Sequence, residues 1–246
     1  MPDASRSAQS SDVAASLHWF LRGARAGLST PGLILATAFI GFGSLAREEG
    51  FTLAESAFMT VMIWALPAII VLMGAIKSGA TILGAAFVVT LSSVRLMPMV
   101  MALVPEMRTP RTRPWVLYLL SHFVAVTSWV MAFQHFPGVP KERRTAFYGG
   151  LAAWLLCINL AVVVVVYTIA GDLPPVLSAG LLFLTPIYFL TSLWGSAREQ
   201  AGHVAMILGI VLGPVCHVVV PSFDLVAAGL IGGGLAYVFH LVRQAA

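Results

Sequence analysis

The chain has 246 residues, of which 59% are hydrophobic and 10% charged, with a formal net charge of +4 and a mean hydropathy of +0.92. Soluble domains are roughly 45–50% apolar and about 25% charged, so a soluble fold of this length could not cover so much apolar surface. The composition excludes a cytosolic enzyme, a disordered chain and a secreted disulfide scaffold, and predicts an all-α, polytopic membrane helix bundle. The scattered basic residues also argue against a nucleic-acid partner.

Residues 1–26 are predicted to form a polar tail followed by an amphipathic helix. Apolar residues recur at helical spacing from Val13 to Leu28, while Arg22 and Arg25 lie off that stripe. The pattern favours a helix lying in the membrane interface, and a cytoplasmic extension of the first spanning helix is the alternative. The apolar run before Arg22 is too short and too interrupted for a cleaved signal peptide.

Residues 27–243 are predicted to form one transmembrane permease domain. A spanning helix needs about 20 mostly apolar residues, and eight segments qualify: 28–45, 56–76, 79–104, 115–136, 146–170, 174–195, 201–221 and 224–242. With a cytoplasmic N-terminus, eight spans place nine Lys and Arg residues inside and four outside. The weak point is an outer loop containing the three arginines of 108–113. Seven spans, with a broken and re-entrant second or third segment, is the alternative.

Proline interrupts four of these segments, at Pro67, Pro98, Pro186 and Pro214, and glycines such as Gly43 add further breaks. Proline removes a helical hydrogen bond, and the freed carbonyl must be satisfied inside the bundle. Broken helices in transporters bind small polar solutes near the membrane midplane. Pro67 and Gly43 are therefore candidates for shaping a substrate site. The alternative is ordinary kinking and close packing, because both residue types are frequent in membrane helices.

Arg95 is a charged side chain predicted to lie deep in a span, about 13 Å from the helix end at Val104. All ten acidic residues fall in predicted loops, tails or span edges. A guanidinium holds a carboxylate through two parallel hydrogen bonds, so Arg95, with the nearby Ser93, is a candidate site for the carboxylate of a substrate. The alternative is that Arg95 reaches the interface or binds helix carbonyls.

Two further polar residues are candidates. A proton-driven carrier usually needs a titratable group in the membrane, and His122 is the best candidate because Ser121, Thr127 and Ser128 share its predicted helix. A histidine that hydrogen-bonds between helices is the alternative. Asn159 lies in the middle of a span and is predicted to hydrogen-bond across helices, with a substrate contact as the alternative.

Signatures of enzymes and cofactors are absent from the sequence. It contains no HExxH, GxSxG or P-loop motif. Its two cysteines, Cys157 and Cys216, lie in apolar runs and form no CxxC, so neither a redox site nor a structural zinc is indicated. The sequence predicts a protein that is not an enzyme and that has no catalytic residue, metal or cofactor.

Four stretches stand in a familiar order and spacing. They are GLSTPGLILATAFIGFGSLAREEGFTLAESAFMT at 27–60, TLSSVRLMPMVMALVPEMR at 90–108, FYGGLAAWLLCINLAVVVVVYTIAGDLPP at 147–175 and LLFLTPIYFLTSLWG at 181–195. Along most of residues 23–243 the chain resembles the AzlC family of branched-chain amino acid permeases.

The sequence departs from the family pattern at three polar positions. A Gly-Ala-Ser-Gln stretch of the second span is replaced by Ala-Leu-Pro-Ala-Ile at 65–69. An Asn-x-Arg-His core is replaced by Ser-Val-Arg-Leu at 93–96, where only the arginine is kept. An Asp-Glu pair early in the fourth span is replaced by His-Phe at 122–123. These differences indicate a divergent member, with an altered substrate or coupling.

The resemblance implies an exporter of small neutral amino acids, namely branched-chain, valine-like ones and sometimes methionine, working by alternating access. It implies a small AzlD-like membrane subunit as partner, and a multi-pass location in the bacterial inner membrane with a cytoplasmic N-terminus. Two alternatives are a carrier of another small organic acid and a non-transporting scaffold or regulatory subunit.

Overall fold

The computed structural model describes residues 3–172, 200–219 and 224–245, together with scattered residues between 174 and 194. In these ranges every regular element is helical, which confirms the predicted fold class. The chain divides into two compact units, residues 1–185 and 186–246. The single domain predicted over 27–243 stays a prediction.

Eleven α-helices lie within the described ranges. In the first unit they are α1 (Asp3–Ala26), α2 (Thr30–Glu48), α3 (Leu53–Ile63), α4 (Leu66–Lys77), α5 (Ile82–Ser93), α6 (Met97–Met107), α7 (Pro114–His122), α8 (Val126–His135) and α9 (Arg144–Ala170). In the second unit they are α10 (Gln200–Val219) and α11 (Asp224–Ala245). A 3₁₀ turn over Val94–Leu96 joins α5 to α6, and two more follow α8, at Phe136–Gly138 and Lys141–Arg143.

Four stretches of the described residues are long and apolar enough to cross a membrane: α2, the run Ile82–Met107, the run Lys141–Ala170, and α10. The apolar part of α11, Ala227–Arg243, is shorter. The predicted span 174–195 lies largely outside the described residues. The predicted total of about eight spans is therefore not confirmed.

The second predicted span, 56–76, folds back on itself. Its two halves, α3 and α4, are separated by a break at 64–65. The Lys77 ammonium at the end of α4 donates to the Glu49 carbonyl at 2.7 Å and pairs with the Glu49 carboxylate at 3.5 Å. Because Glu49 immediately precedes α3, both ends of this first hairpin (residues 53–77) lie at one end of the unit, here called the Lys77 end.

The fourth predicted span, 115–136, folds back in the same way. It divides into α7 and α8 at residues 123–125. Before α7, the Thr112 hydroxyl lies 3.5 Å from the Met107 carbonyl at the end of α6. After α8, the Arg144 guanidinium donates to the Phe136 carbonyl at 3.1 Å and pairs with Glu106. Both ends of this second hairpin (residues 114–135) lie at the opposite end of the unit, here called the Arg144 end.

The expectation that 56–76 and 115–136 cross the membrane is therefore wrong. The halves have 9 to 12 residues and rise about 14–18 Å each, which is half the roughly 30 Å of a bilayer core. Between the hairpins, the run from α5 to α6 leads from the Lys77 end to the Arg144 end. Along the chain the order is therefore the span α2, the first hairpin from the Lys77 end, the run Ile82–Met107, the second hairpin from the Arg144 end, and the span α9.

Helix α1 packs lengthwise on α9. The Arg143 guanidinium pairs with Asp12 and donates to the Ser16 hydroxyl at 2.6 Å. Further along, a Cβ at Gly23 would overlap the Phe147 carbonyl, and one at Gly150 would overlap the backbone of Phe20. Such small-residue contacts let membrane helices approach closely. The sequence left open whether this helix lies in the interface, and the structure places it on α9.

Cysteines introduced at the two ends of one hairpin should react with an impermeant maleimide from the same side of the membrane. In a background without the two native cysteines, Glu48→Cys and Ala80→Cys flank the first hairpin, and Arg111→Cys and Gly138→Cys flank the second. We expect each pair to label from one side, and the two pairs from opposite sides. Labelling of Glu48→Cys and Ala80→Cys from opposite sides would restore the eight-span topology.

Gly150→Ala should destabilise the protein because the added methyl group meets the Phe20 backbone, which cannot move aside without separating α1 from α9. We expect a loss of about 1–3 kcal/mol or more, measured as a lower midpoint of thermal unfolding in detergent. Gly149→Ala is the matched control, since its nearest contact would be an ordinary 3.7 Å to Leu120. Equal stability of the two variants would contradict the close α1–α9 contact.

Candidate functional site

The tip of the first hairpin is a tight γ-turn centred on Trp64. Trp64 has φ +60° and ψ −41°, and the Ala65 N–H donates to the Ile63 carbonyl at 2.6 Å. Positive φ is costly for a bulky residue, and γ-turns of this hand are rare and strained. Pro67 lies in the first turn of α4, where its missing N–H costs no helical hydrogen bond. The proline break predicted in this segment is thus the reversal point of the chain.

The tip of the second hairpin, residues 123–125, is held by side-chain hydroxyls. The Ser128 hydroxyl accepts the Ala125 N–H at 2.9 Å and donates to the Phe123 carbonyl at 2.7 Å. The Tyr148 hydroxyl of α9 donates to the same carbonyl at 2.9 Å and lies 3.2 Å from the Ser128 oxygen. Ser128 and Tyr148 are fully buried. These hydroxyls provide hydrogen-bond partners for backbone N–H and carbonyl groups that would be unpaired where the helix is interrupted.

The two hairpins meet at their tips. The His122 Nε2 lies 3.0 Å from the Val61 carbonyl in the last turn of α3. One residue further along, the rings of Trp64 and Phe123 pack edge to face, with centroids 5.8 Å apart. The C-terminal ends of α3 and α7, which carry partial negative charge, and the N-terminal ends of α4 and α8, which carry partial positive charge, therefore converge.

Asn159 of α9 is fully buried, and neither atom of its side-chain amide has a hydrogen-bond partner. It lies eleven residues after Tyr148, which puts the two side chains on the same helix face about three turns apart. It lies eight residues, or about 12 Å, before Tyr167, whose hydroxyl donates to the Phe51 carbonyl at the base of the first hairpin. Asn159 therefore lies along α9 between Tyr148, which holds the second tip, and Tyr167, which contacts the base of the first hairpin.

Other polar side chains are buried within the same unit. Ser56 and Thr60 of α3 donate to carbonyls four residues earlier, at 2.8 Å each. Ser44 of α2 is fully buried and its hydroxyl has no partner. Buried polar groups are normally hydrogen-bonded, so an exception inside a helix, such as Ser44, is unusual.

The structure brings some of the sequence-predicted residues together. His122 belongs to the contact between the hairpins, Pro67 lies at the tip of the first hairpin, and Asn159 lies on α9 about three turns from Tyr148, which holds the second tip. Gly43 packs α2 against α9, because a Cβ there would lie 3.2 Å from Val166. The hydrogen bond of His122 to another helix fits the alternative stated for it, and its role in proton coupling stays a prediction.

Arg95 and Ser93 lie elsewhere in the unit. Both belong to the junction between α5 and α6, and Arg95 is on an exposed side of the 3₁₀ turn. The Ser93 hydroxyl donates to the Val89 carbonyl at 2.9 Å, within its own helix. Only 6% of the residues in the most apolar stretch of Ile82–Met107 are buried. Arg95 thus occupies a different environment from the buried Asn159, and its role as a carboxylate ligand stays a prediction.

Sequence reasoning missed Trp64, Tyr148 and the break at residues 123–125. No proline marks that break, and the Ser128 that holds it resembles an ordinary polar helix residue. A signal was present in the serine three residues after Ala125, which is the spacing at which a side chain returns to the N-terminus of a helix. Trp64 carried no signal, because a tryptophan beside a proline is unremarkable in a membrane helix.

The contact between the hairpin tips offers neutral polar groups that can bind a solute. The sequence has no acidic residue between Glu55 and Glu106, or between Glu106 and Glu142. The converging groups are backbone carbonyls, helix ends, an imidazole and an indole. Such groups can hold a small polar solute by hydrogen bonds and dipoles near the middle of a membrane.

The family model for AzlC protein matches residues 32–173. The match runs from the first turn of α2 past the end of α9, so it includes both hairpins and Asn159. No match was found among curated proteins, and none among solved structures. Because the match covers more than half of the chain, the chain belongs to the AzlC family, whose members are membrane transport components connected with branched-chain amino acids.

Proposed function

We propose that this protein exports small neutral amino acids, with branched-chain, valine-like ones as the main substrates and methionine as a further one, by alternating access. The observation that carries the proposal is the meeting of two hairpins from opposite ends of the unit, where the indole N–H of the buried Trp64 has no hydrogen-bond partner. A solute at such a contact is covered from each side by one hairpin.

The two hairpins suit alternating access because each one enters the unit from a different end, the first from the Lys77 end and the second from the Arg144 end. Each is anchored by its base, through Lys77 and Glu49 in one case and through Arg144 in the other. The tips contact one another through one hydrogen bond and one ring pair, which are few contacts to break. Displacement of one tip would open the contact to that side only, while the other hairpin keeps it closed.

We propose that the Arg144 end faces the cytoplasm, with the N-terminus, in a bacterial inner membrane. The Arg144 end carries many basic residues: Arg108, Arg111, Arg113, Lys141, Arg143 and Arg144. The Lys77 end carries Arg47 and Lys77. An excess of Lys and Arg marks the cytoplasmic side. In this orientation the fold-back of the first hairpin would put the arginines of 108–113 on the cytoplasmic side, whereas the eight-span topology would leave them outside, and this difference supports the proposal.

We propose that a small AzlD-like membrane subunit covers the helix run Ile82–Met107. This run is apolar and 26 residues long, and 6% of its most apolar stretch is buried. Arg95 lies halfway along it, where contact between a guanidinium and lipid is costly. A second subunit on this surface would shield Arg95 from lipid and hold the adjoining first hairpin in place.

Cells preloaded with labelled Val, Leu, Ile and Met should release them faster when they produce this chain together with its small partner subunit. We expect efflux of the branched-chain amino acids to depend on both proteins. Efflux from the chain alone would contradict the two-subunit proposal. No efflux of any of the four amino acids, with both proteins confirmed in the membrane, would favour another small organic acid or a scaffold role.

His122→Gln should preserve efflux but remove its dependence on pH, because an imidazole can take up and release a coupling proton and an amide cannot. Glutamine keeps a donor for the Val61 carbonyl but cannot carry the proton. His135→Gln is the matched control, because the His135 Nδ1 is bonded within its own helix, 2.8 Å from the Met131 carbonyl. An unchanged pH profile for His122→Gln would exclude His122 as the coupling group.

A further inference from the structure

The hydrogen bond between the two hairpins ends on a backbone carbonyl. A carbonyl oxygen only accepts, so the His122 Nε2 donates to the Val61 carbonyl, at 3.0 Å. This carbonyl belongs to the last turn of α3, and the carbonyls at the C-terminal end of a helix carry partial negative charge. The His122 side chain is exposed, so its ring can leave the carbonyl without opening a packed core. The Val61 carbonyl is therefore an acceptor that a different donor can occupy.

A buried donor without a partner belongs to the same hairpin tip. The indole Nε1 of Trp64 has no acceptor, although the side chain is only 3% exposed. An indole donates a hydrogen bond and accepts none. Buried polar groups are normally paired, and Trp64 also has the strained backbone of the γ-turn. Two unfavourable features at one residue point to a ligand that accepts the indole hydrogen.

The acceptor and the donor are joined by a continuous series of contacts. The Trp64 and Phe123 rings pack edge to face with centroids 5.8 Å apart, and the Phe123 and His122 rings do so at 4.9 Å. The His122 Nε2 is in turn bonded to the Val61 carbonyl. Val61 and Trp64 are also only three residues apart in the chain. Both groups thus belong to the one contact between the tips.

A zwitterion matches this pair of groups. An α-amino acid carries an ammonium, which donates, and a carboxylate, which accepts, on one carbon atom. Charged groups in a membrane pair with opposite charges or with backbone carbonyls, and the four hairpin helices α3, α4, α7 and α8 carry no Asp or Glu beyond Glu55 in the first turn of α3. The ammonium is therefore left with backbone carbonyls, which bind cations where transporter helices are broken.

We infer that the substrate ammonium replaces His122 at the Val61 carbonyl, while the substrate carboxylate accepts the indole N–H of Trp64. The inference rests on the proposed function, because it takes the substrate to be an α-amino acid. Binding then removes the hydrogen bond that joins the two hairpins. The substrate itself thereby releases one tip from the other, which links occupation of the site to its opening.

The first test compares the binding of L-valine, L-valinol and isovalerate to the purified protein with its small partner subunit. Valinol lacks the carboxylate and isovalerate lacks the ammonium. His122→Leu leaves the Val61 carbonyl without its donor. We expect L-valine and valinol to bind about three- to tenfold more tightly to this variant, because their ammonium no longer displaces a hydrogen bond. Isovalerate should bind as it does to the unmodified protein.

A damaged fold does not tighten binding, so this result cannot come from misfolding. His135→Leu is the matched control, because the His135 Nδ1 is bonded to the Met131 carbonyl within its own helix. It should leave all three affinities unchanged. Equal affinities of His122→Leu and the unmodified protein for L-valine would show that the ammonium does not replace His122.

The second test concerns the carboxylate. Trp64→Phe removes the indole N–H and keeps an aromatic ring against Phe123. We expect L-valine and isovalerate to bind about tenfold more weakly, and valinol to bind as before. Trp115→Phe makes the same chemical change at a side chain that is 59% exposed at the base of the second hairpin, and it should change none of the affinities.

The outcomes distinguish the inference from the function on which it rests. If Trp64→Phe binds L-valine within twofold of the unmodified protein, or weakens valinol equally, the assignment of the carboxylate to Trp64 is wrong. If instead Arg95→Ala weakens L-valine and isovalerate and leaves valinol unchanged, the carboxylate belongs to Arg95. If the unmodified protein binds and exports none of the amino acids, the proposed function fails, and this inference fails with it.

Discussion

The structure of the first unit depends on one constraint, which is that backbone polar groups at a helix break must find partners inside the protein when the break lies in a membrane. The break at residues 64–65 closes by a γ-turn, and the Val61 carbonyl is taken up by His122 of the other hairpin. The break at 123–125 closes through Ser128 and Tyr148. Each tip is satisfied partly by another element, so neither hairpin is positioned alone.

The bases of the hairpins are fixed by cations that bind backbone carbonyls. Arg144 donates to the carbonyls of Phe136, Val139 and Glu106 and pairs with the Glu106 side chain, which joins α6, the second hairpin and α9. Lys77 does the same for the first hairpin through Glu49. Long, flexible side chains at the membrane edges thus hold the bases, while the tips meet through a few short contacts. This distribution suits a protein in which the tips move and the bases do not.

The part of the chain that the AzlC family model matches, residues 32–173, contains this whole arrangement. Helix α1 precedes the match and is joined to α9 through Gly23 and Gly150, where the backbones approach closely. The amide of Asn159 is buried on the face of α9 that also carries Tyr148, about three turns further along the helix. The buried face of α9 thus carries two polar side chains: Tyr148, which holds the second tip, and Asn159, whose amide has no hydrogen-bond partner.

The sequence by itself determined the class of the protein, the positions of most helices and the breaks near Pro67 and Pro98, because hydropathy and proline act locally. It also identified His122 and Asn159 as polar residues within apolar segments. Only the tertiary structure decided that 56–76 and 115–136 turn back, since a helix break has the same local signature whether the chain continues or reverses. The reversal is set by contacts distant in sequence, such as Lys77 with Glu49 and Arg144 with Phe136. The importance of Trp64 likewise follows from its burial against Phe123, which no pattern in its own segment encodes.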